Sequence, residues 1–374
     1  MTMTMKIMTE HVLIQNVHLY NYSLPFAKPF FVKGERLEHR EGVIVHVISD
    51  RGDMGFGEAS PLPGMSVEPL KRVLHQLSHL KEDMKGVSMP LEKNALLDWL
   101  SRRMDRTVFC PSVCFALESA LVSLAANAEK KPVCEYLFAR RPEAVLTVGL
   151  LQGALPEVLA QAAELKAKGY VRFKLKVGNR NIPLDVRKVE ELKEFLRPEA
   201  RIRLDANAQW TFDEALMFAR GIGKNQIEFL EDPFPDVNRW EDFYRKTDIP
   251  LAADEILKEH ALERLADIQG LCAFVVKPML WGGVTGFIRL LEQTHSTGQK
   301  VIVSSAFESG VGITLLANLA LATGEPAGLG PASWFAEDIL QEPVVDDCGL
   351  VDPSRFRLQS TMFHDEFHDR LQAV

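Results

Sequence analysis

Five short apolar segments, each closed at its C-terminal end by one or two charged residues, constrain this chain more than any other feature. They read V-R-F-K-L-K-V-G with Lys174 and Lys176, R-I-R-L-D-A-N with Asp205, I-E-F-L-E-D-P with Glu231, L-A-A-D-E-I-L with Asp254, and F-V-V-K-P with Lys277. From Lys176 onward the charged positions advance by 29, 26, 23 and 23 residues. Each step has the length of one strand, one helix and two loops, which is the rhythm of βα units.

If such units close into an eight-stranded parallel barrel, the residues at the C-terminal strand ends face one another across the mouth. With 147–152 as the first strand, the five segments are strands two to six, and strands two and six lie opposite each other. Lys176 and Lys277 then stand on facing walls, with Asp205, Glu231 and Asp254 on the three strands between. A seventh strand is expected over 300–307 and a short eighth over 327–330. Helices are expected over 155–168, 183–196, 213–221, 238–246, 259–267, 284–297 and 311–322.

The N-terminal part has a different pattern. Residues 11–20 and 42–48 alternate as half-buried antiparallel strands do. Between them 24–40 is rich in Pro, Phe and charge and reads as a long mobile loop, which with the irregular stretch 57–65 would form a lid. Gly55-Phe56-Gly57 reads as a hairpin turn, because no strand, turn and helix frame a dinucleotide site there. From 67 to 127 the periodicity is helical, with Pro111 suited to a first helical turn. The expected organisation is an α+β capping domain over 1–143, a barrel over 144–336, and a segment 337–374 that returns to the cap.

With 374 residues the chain has room for two domains. It carries 43 Lys and Arg against 51 Asp and Glu, a formal charge of −8 without basic runs, so nothing recruits nucleic acid or an anionic membrane. The five cysteines are odd in number and show no C-x-x-C pairing, as expected for reduced thiols in a cytoplasmic protein. Residues 1–11 contain one lysine and no apolar stretch, and no uninterrupted apolar run approaches the ~18 residues of a membrane span. Oligomeric state is not encoded in any visible pattern.

Lys174 and Lys176 are two apart on a strand and share a face. Two crowded ammonium groups raise each other's cost of ionisation, and burial adds to it, so at least one pKa is expected to fall towards that of a general base. Alone, a K-x-K pair more often snorkels at a strand end, but here three carboxylates accompany it. Asp205, Glu231 and Asp254 are hard oxygen ligands without His or Cys beside them, which favours Mg²⁺, or Mn²⁺, over zinc. Asn207, Asp232 and Glu255 follow within two residues and are placed to support those ligands. A cation holding a small-molecule carboxylate between two lysines stabilises the charge formed when the adjacent carbon loses its proton, so the expected chemistry passes through an enediolate.

In combination, K-x-K, D-A-N, E-D-P, A-D-E and V-K-P resemble the muconate-lactonizing-enzyme subgroup of the enolase superfamily over about residues 11–360. The resemblance implies a modified (β/α)7β TIM barrel with an α+β cap, Lys176 as the base beside Lys174, Lys277 as the opposing lysine, and Mg²⁺ on Asp205, Glu231 and Asp254. Within the subgroup, R-E-G-V-I-V-H-V, G-E-A-S-P-L-P-G, S-S-A-F-E-S-G-V-G and G-L-G-P-A-S-W-F are similar to the o-succinylbenzoate synthase family. That similarity implies a lyase of menaquinone biosynthesis, with Lys277 stabilising the enediolate. Arg203 is implied to pack on the substrate, and Ser304 and Ser305 are candidates to meet its succinyl chain. N-acylamino-acid racemases and muconate cycloisomerases share the five charged residues and stay open, as does a metal-holding barrel without catalysis. Dipeptide epimerases typically carry an Asp-x-Asp near the last strand, which G-L-G-P-A-S-W-F lacks.

Overall fold

Alternating apolar residues build an antiparallel sheet from the first sixty residues. β1 (His11–Val32), β2 (Glu35–Ser49) and β3 (Met54–Ala59) pair in turn, and β4 (Ser88–Pro90) joins β1, giving the order β3-β2-β1-β4. The computed structural model describes residues 10–32, 35–104, 107–196, 198–330 and 334–367.

The stretch 24–40 is not a loop but the far end of the β1–β2 hairpin. Leu24 pairs with Arg40, and beyond an irregularity between Pro25 and Phe30 the ladder resumes, with Phe31 opposite Arg36 and Val32 opposite Glu35. Pro29 falls inside that irregularity, where a missing N–H costs the ladder nothing. Proline and charge therefore mark a bulge here and leave the ribbon intact.

Helices α1 (Leu70–Met84), α2 (Lys93–Arg103), α3 (Pro111–Ala128) and α4 (Val133–Phe138) complete the cap. α3 starts with proline, and Glu68 accepts from the Ser112 amide (3.1 Å) and hydroxyl (2.6 Å), satisfying its first turn. By length and composition α3 is the one described helix able to cross a membrane, but it is buried inside the fold. Gly55 and Gly57 lie within β3, not at a turn. A Cβ on either would stand 2.0 or 1.9 Å from the carbonyl oxygen of Ala120 or Ala116, so the glycines let β3 lie directly on α3.

The βα units follow. After β5 (Val145–Leu146) come seven parallel strands, β6 (Gly149–Leu151), β7 (Arg172–Lys176), β8 (Arg201–Asp205), β9 (Ile227–Glu231), β10 (Leu251–Ala253), β11 (Leu271–Val276) and β12 (Lys300–Val303), in strict sequence order. Helices α5 (Leu155–Ala167), α6 (Ile182–Phe195), α7 (Phe212–Ile222), α8 (Trp240–Thr247), α9 (Leu262–Ala266), α10 (Pro278–Trp281), α11 (Gly283–Thr297) and α12 (Gly310–Thr323) form the connections. The eighth strand is reduced to Ala327 and Gly328. Ala327 bonds to Leu146 and Val148 (both 2.9 Å), and Gly328 to Val303 and Ser305 (both 2.8 Å), so these two residues join the sheet's two edges. Inside the ring Phe229, Ala252, Ala273, Val275 and Ile302 make a packed core.

The cap docks on the barrel through buried carboxylates set at helix N-termini, where unpaired amides and the helix dipole favour negative charge. Glu118 of α3 accepts from the Thr285 amide (2.8 Å) and hydroxyl (2.7 Å) at the start of α11. Glu58 of β3 accepts from the amides of Ser309 (3.0 Å) and Gly312 (2.9 Å) at the start of α12. Later residues return to the cap. β13 (Leu350–Val351) pairs with β5, Phe363 packs against Phe56 (4.9 Å) and Phe367 against Tyr20 (5.8 Å).

Beneath those phenylalanines lies His46, stacked on Phe56 at 4.5 Å and 5.9 Å from His18, with both ring nitrogens buried and unpartnered. Burial, and to a lesser degree His18, holds its pKa down at about 4. The folded state therefore keeps this imidazole neutral. Its contribution is present above the unfolded value of 6.5 and is lost as pH falls towards 4, by up to roughly 3 kcal/mol. His46→Leu is expected to flatten the decline of Tm between pH 6.5 and 4 in a calorimetric pH series. Parallel Tm curves for the two proteins would remove His46 as the cause.

Candidate active site

Strand alternation and strand ends together build the site. Lys174 and Lys176 project from β7 into the barrel, Asp205 ends β8, Glu231 ends β9, and Asp254 and Lys277 directly follow β10 and β11. The three lysines line a cavity of about 720 Å³ together with Asn207, Glu255 and Ser304. The three carboxylates lie buried just beneath. A larger cleft of about 1150 Å³ adjoins it between the hairpin tip and α5, sharing Phe31, Leu150, Gln152 and Trp334, and touches none of these charged groups. The chemistry belongs to the smaller cavity.

Lys174 Nζ lies 2.8 Å from Asp205 Oδ2 and 2.7 and 2.8 Å from the two Glu231 oxygens. Lys176 Nζ donates to Asp205 Oδ2 (2.6 Å) and Asn207 Oδ1 (2.9 Å), and Lys277 donates to Asp254. Asn207 in turn donates to Glu255 (3.1 Å). Asp232 accepts from the amides of Asp254 (3.1 Å) and Glu255 (2.7 Å), fixing the turn that carries Asp254. Asn207, Ala208 and Asp232 hold left-handed backbone (φ 46°, 56° and 41°), strain of the kind that clusters where side chains are aimed at a site.

The electrostatics differ from expectation at the lysines. Burial works against the Lys174 ammonium, yet Asp205, Glu231 and Asp254 outweigh it and raise its pKa above the ordinary lysine value. Lys277 is raised in the same sense, with burial opposing and Asp254 prevailing. Lys174 and Lys277 answer to the carboxylates more than to other lysines. Burial likewise opposes the charge on Asp205, but Lys174 and Lys176 hold its pKa well below the carboxylate range.

Glu231 sits between two other carboxylates, and burial together with Asp205 pushes its pKa well up. Burial and Asp254 push Asp232 up to about 8. Burial and the neighbouring carboxylates thus favour the protonated form of Glu231 and Asp232. Among the described residues no three His, Cys, Asp or Glu side chains are gathered as an ion would gather them, because ammonium groups stand between the carboxylates. The all-oxygen donor set of Asp205, Glu231 and Asp254 nevertheless fits a hard divalent cation.

Arg203 occupies a different place from the one expected. It faces the barrel interior two residues before Asp205, but a bulge in the β8–β9 register brings Glu228 beside it. Its guanidinium forms a fork on Glu228 (2.9 and 3.1 Å), donates to the Pro326 carbonyl (2.8 Å) and lies 5.2 Å over the Phe229 ring. It does not line the cavity. Ser304 and Ser305 do, at the seam beside Gly328.

Two family models match the chain: "Enolase C-terminal domain-like" over 157–355 and "MenC, N-terminal domain" over 14–124. The o-succinylbenzoate synthase of Pectobacterium atrosepticum is 32% identical over 347 residues, covering 90% of this chain and 92% of that protein. This chain belongs to the o-succinylbenzoate synthase family of the enolase superfamily. The synthase of Haemophilus influenzae is 31% identical over 311 residues, 82% of this chain and 86% of its own length. An N-succinyl-L-Arg/Lys racemase of Bacillus cereus is 28% identical over 304 residues, 80% of this chain and 81% of that protein. Among solved structures, an enolase-superfamily member from Roseovarius nubinhibens complexed with magnesium superposes with a TM-score of 0.80 at 19% identity, covering 91% of this chain and 93% of that one.

The apolar wall of the cavity, formed by Phe31, Val32, Met65, Leu150, Phe307 and Trp334, has no motif of its own in the sequence. The runs P-F-F-V and S-S-A-F carried that signal only as composition. Of the late G-L-G-P-A-S-W-F motif, Pro331, Ala332 and Ser333 lie outside the described residues. Arg203→Met leaves the half-buried Glu228 without its partner and is expected to cost about 2 to 3 kcal/mol in urea unfolding. Arg203→Met/Glu228→Gln should recover part of that loss. A single variant as stable as wild type would show the pair to be dispensable to the fold.

Proposed function

We propose that this chain is a Mg²⁺-dependent hydro-lyase of menaquinone biosynthesis. It converts 2-succinyl-6-hydroxy-2,4-cyclohexadiene-1-carboxylate to o-succinylbenzoate. The observation that carries the reading is the placement of Lys176 and Lys277, four strands apart, on one cavity floored by three buried carboxylates. Membership in the synthase family supplies the substrate.

Lys176 is the base. Its side chain is 34% exposed against 17% for Lys174, which Asp205 and Glu231 hold below it. Lys176 Nζ takes the proton from the ring carbon beside the carboxylate, and the electron pair moves into the carboxylate as an enediolate. The pair returns to the ring as the C–O bond to the hydroxyl breaks on the same face. Lys176, now the ammonium, gives its proton to the departing hydroxide, so water leaves and the ring becomes aromatic. Lys277 keeps its proton and stabilises the enediolate charge. Asp205, Glu231 and Asp254 would hold Mg²⁺, which would supply further positive charge for the substrate carboxylate.

Ser304 and Ser305 line the wall where the succinyl chain is accommodated, and Asn207, Asp232 and Glu255 orient the charged groups. Division of the chain into 1–143, 144–336 and 337–374 is consistent with Phe363 and Phe367 resting on the cap. Cys110, Cys134, Cys272 and Cys348 form no disulfide, which favours a cytoplasmic setting. A second activity, racemisation of N-succinylamino acids, is favoured by the Bacillus cereus relative and by two lysines on one cavity.

Wild-type protein with the diene substrate is expected to lose diene absorbance only with Mg²⁺ present, and Lys176→Ala to lower kcat by roughly 10³-fold or more. Folded, metal-loaded protein that leaves the diene untouched would end the synthase assignment. Exchange of the alpha-proton of N-succinylamino acids in deuterated water would then identify a racemase. Glu231→Gln is expected to weaken Mg²⁺ binding by at least about tenfold in calorimetry; unchanged affinity would take Glu231 out of the metal site.

A further inference from the structure

Arg40, at the junction of hairpin and cap sheet, has 1% of its surface exposed, and all five of its hydrogen bonds end on backbone carbonyls. Nε donates to Phe307 (2.8 Å), Nη1 to Pro61 (2.9 Å) and Glu41 (3.3 Å), and Nη2 to Ala306 (3.2 Å) and Ser60. A buried guanidinium is costly to desolvate. Here it spends its donors on three segments far apart in sequence: its own strand, the 57–65 stretch, and the turn after β12.

That turn carries Phe307, whose ring lines the cavity and meets Trp334 edge-on at 5.3 Å. Phe307 is held at φ 61°, a left-handed conformation that an aromatic residue adopts only when its surroundings impose it. The apolar packing around it is slight. Phe26, Val32, Leu62 and Ala306 form a small buried cluster separate from the main core, with Phe307 and Trp334 at its margin. Arg40 holds the carbonyl of Phe307 itself, while Glu308 accepts from the Ala306 amide (2.6 Å) and Glu58 from the Ser309 amide (3.0 Å) on either side of it.

We propose that Arg40 is a positioning residue for the synthase site: from the cap it fixes the Ala306–Phe307 turn, and so sets the wall of Phe307 and Trp334 against the substrate. The proposal rests on the synthase assignment for its substrate and on geometry alone for the grip. None of the hydrogen bonds that hold Lys176 and Lys277 includes a member of this network. Loosening the turn weakens ground state and transition state together, which raises KM and leaves kcat in place.

The test compares Arg40→Lys, Arg40→Met, Phe307→Ala and Arg40→Lys/Phe307→Ala with wild type in the Mg²⁺-dependent diene assay, with amide hydrogen exchange on each. The single variants are expected to raise KM by about tenfold or more with kcat within about threefold, and the double variant to be no worse than Phe307→Ala, since one residue acts through the other. Exchange in Arg40→Lys should rise over 304–309 and 60–66 while the barrel strands stay protected. Unchanged KM, a kcat falling in step with kcat/KM, or additive effects in the double variant would overturn the proposal. Should Arg40→Met fail to fold, the lysine variant and the double variant carry the decision. A wild type without diene turnover defeats the synthase assignment only; unchanged protection over 304–309 in Arg40→Lys then defeats the grip on its own.

Discussion

Three carboxylates buried at the ends of adjacent parallel strands cannot persist without cations, and the rest of the structure is arranged around that constraint. A charge removed from water costs several kcal/mol unless it is paired and hydrogen-bonded. Asp205, Glu231 and Asp254 each meet a lysine, and those lysines come from β7 and from the turn after β11, the strands that bracket the acidic three. The barrel is thus the means of bringing residues about a hundred positions apart in sequence into one pairing scheme. At Glu231 and Asp232 burial and neighbouring carboxylates still disfavour the charged form. A divalent cation among these oxygens would favour it again.

The same device, a buried charge aimed at backbone groups, recurs where the two domains meet. Glu118 and Glu58 of the cap sit on the N-termini of α11 and α12, and Arg40 sits on carbonyls of the turn between β12 and α12. Anions meet amides and the cation meets carbonyls, so each ion is matched to backbone dipoles of opposite sense. Such contacts are directional where apolar packing is not. They fix the angle at which the cap covers the mouth.

Much of this was legible in the sequence because charge at a strand end is a strong local signal. The regular spacing of Lys176, Asp205, Glu231, Asp254 and Lys277 gave the strand order, and the helices fell within a few residues of their expected bounds apart from the short α9. Less legible was anything set by register or by distant partners. Residues 24–40 looked like a loop because a bulged ribbon tolerates the prolines that a flat one excludes. Gly55 and Gly57 looked like a turn because the close approach of α3 has no local signature. Arg203 looked like a residue of the mouth because an unseen bulge turned Glu228 towards it. The direction of the Lys174 shift was missed for a related reason: a neighbouring lysine is visible at once in the sequence, whereas the carboxylates that govern Lys174 come from other strands.

Among the described residues Ala327 and Gly328 alone join the first and last strands of the seven-stranded sheet, and β9, with Glu231 at its tip, lies at the middle of that sheet. The ring therefore has a thin seam and a rigid back. Mechanically it behaves like a cuff with a small clasp. Spreading strains the clasp first and leaves the acidic strands in register, so the opening through which a bulky product departs can widen without scattering the charges assembled on the far side.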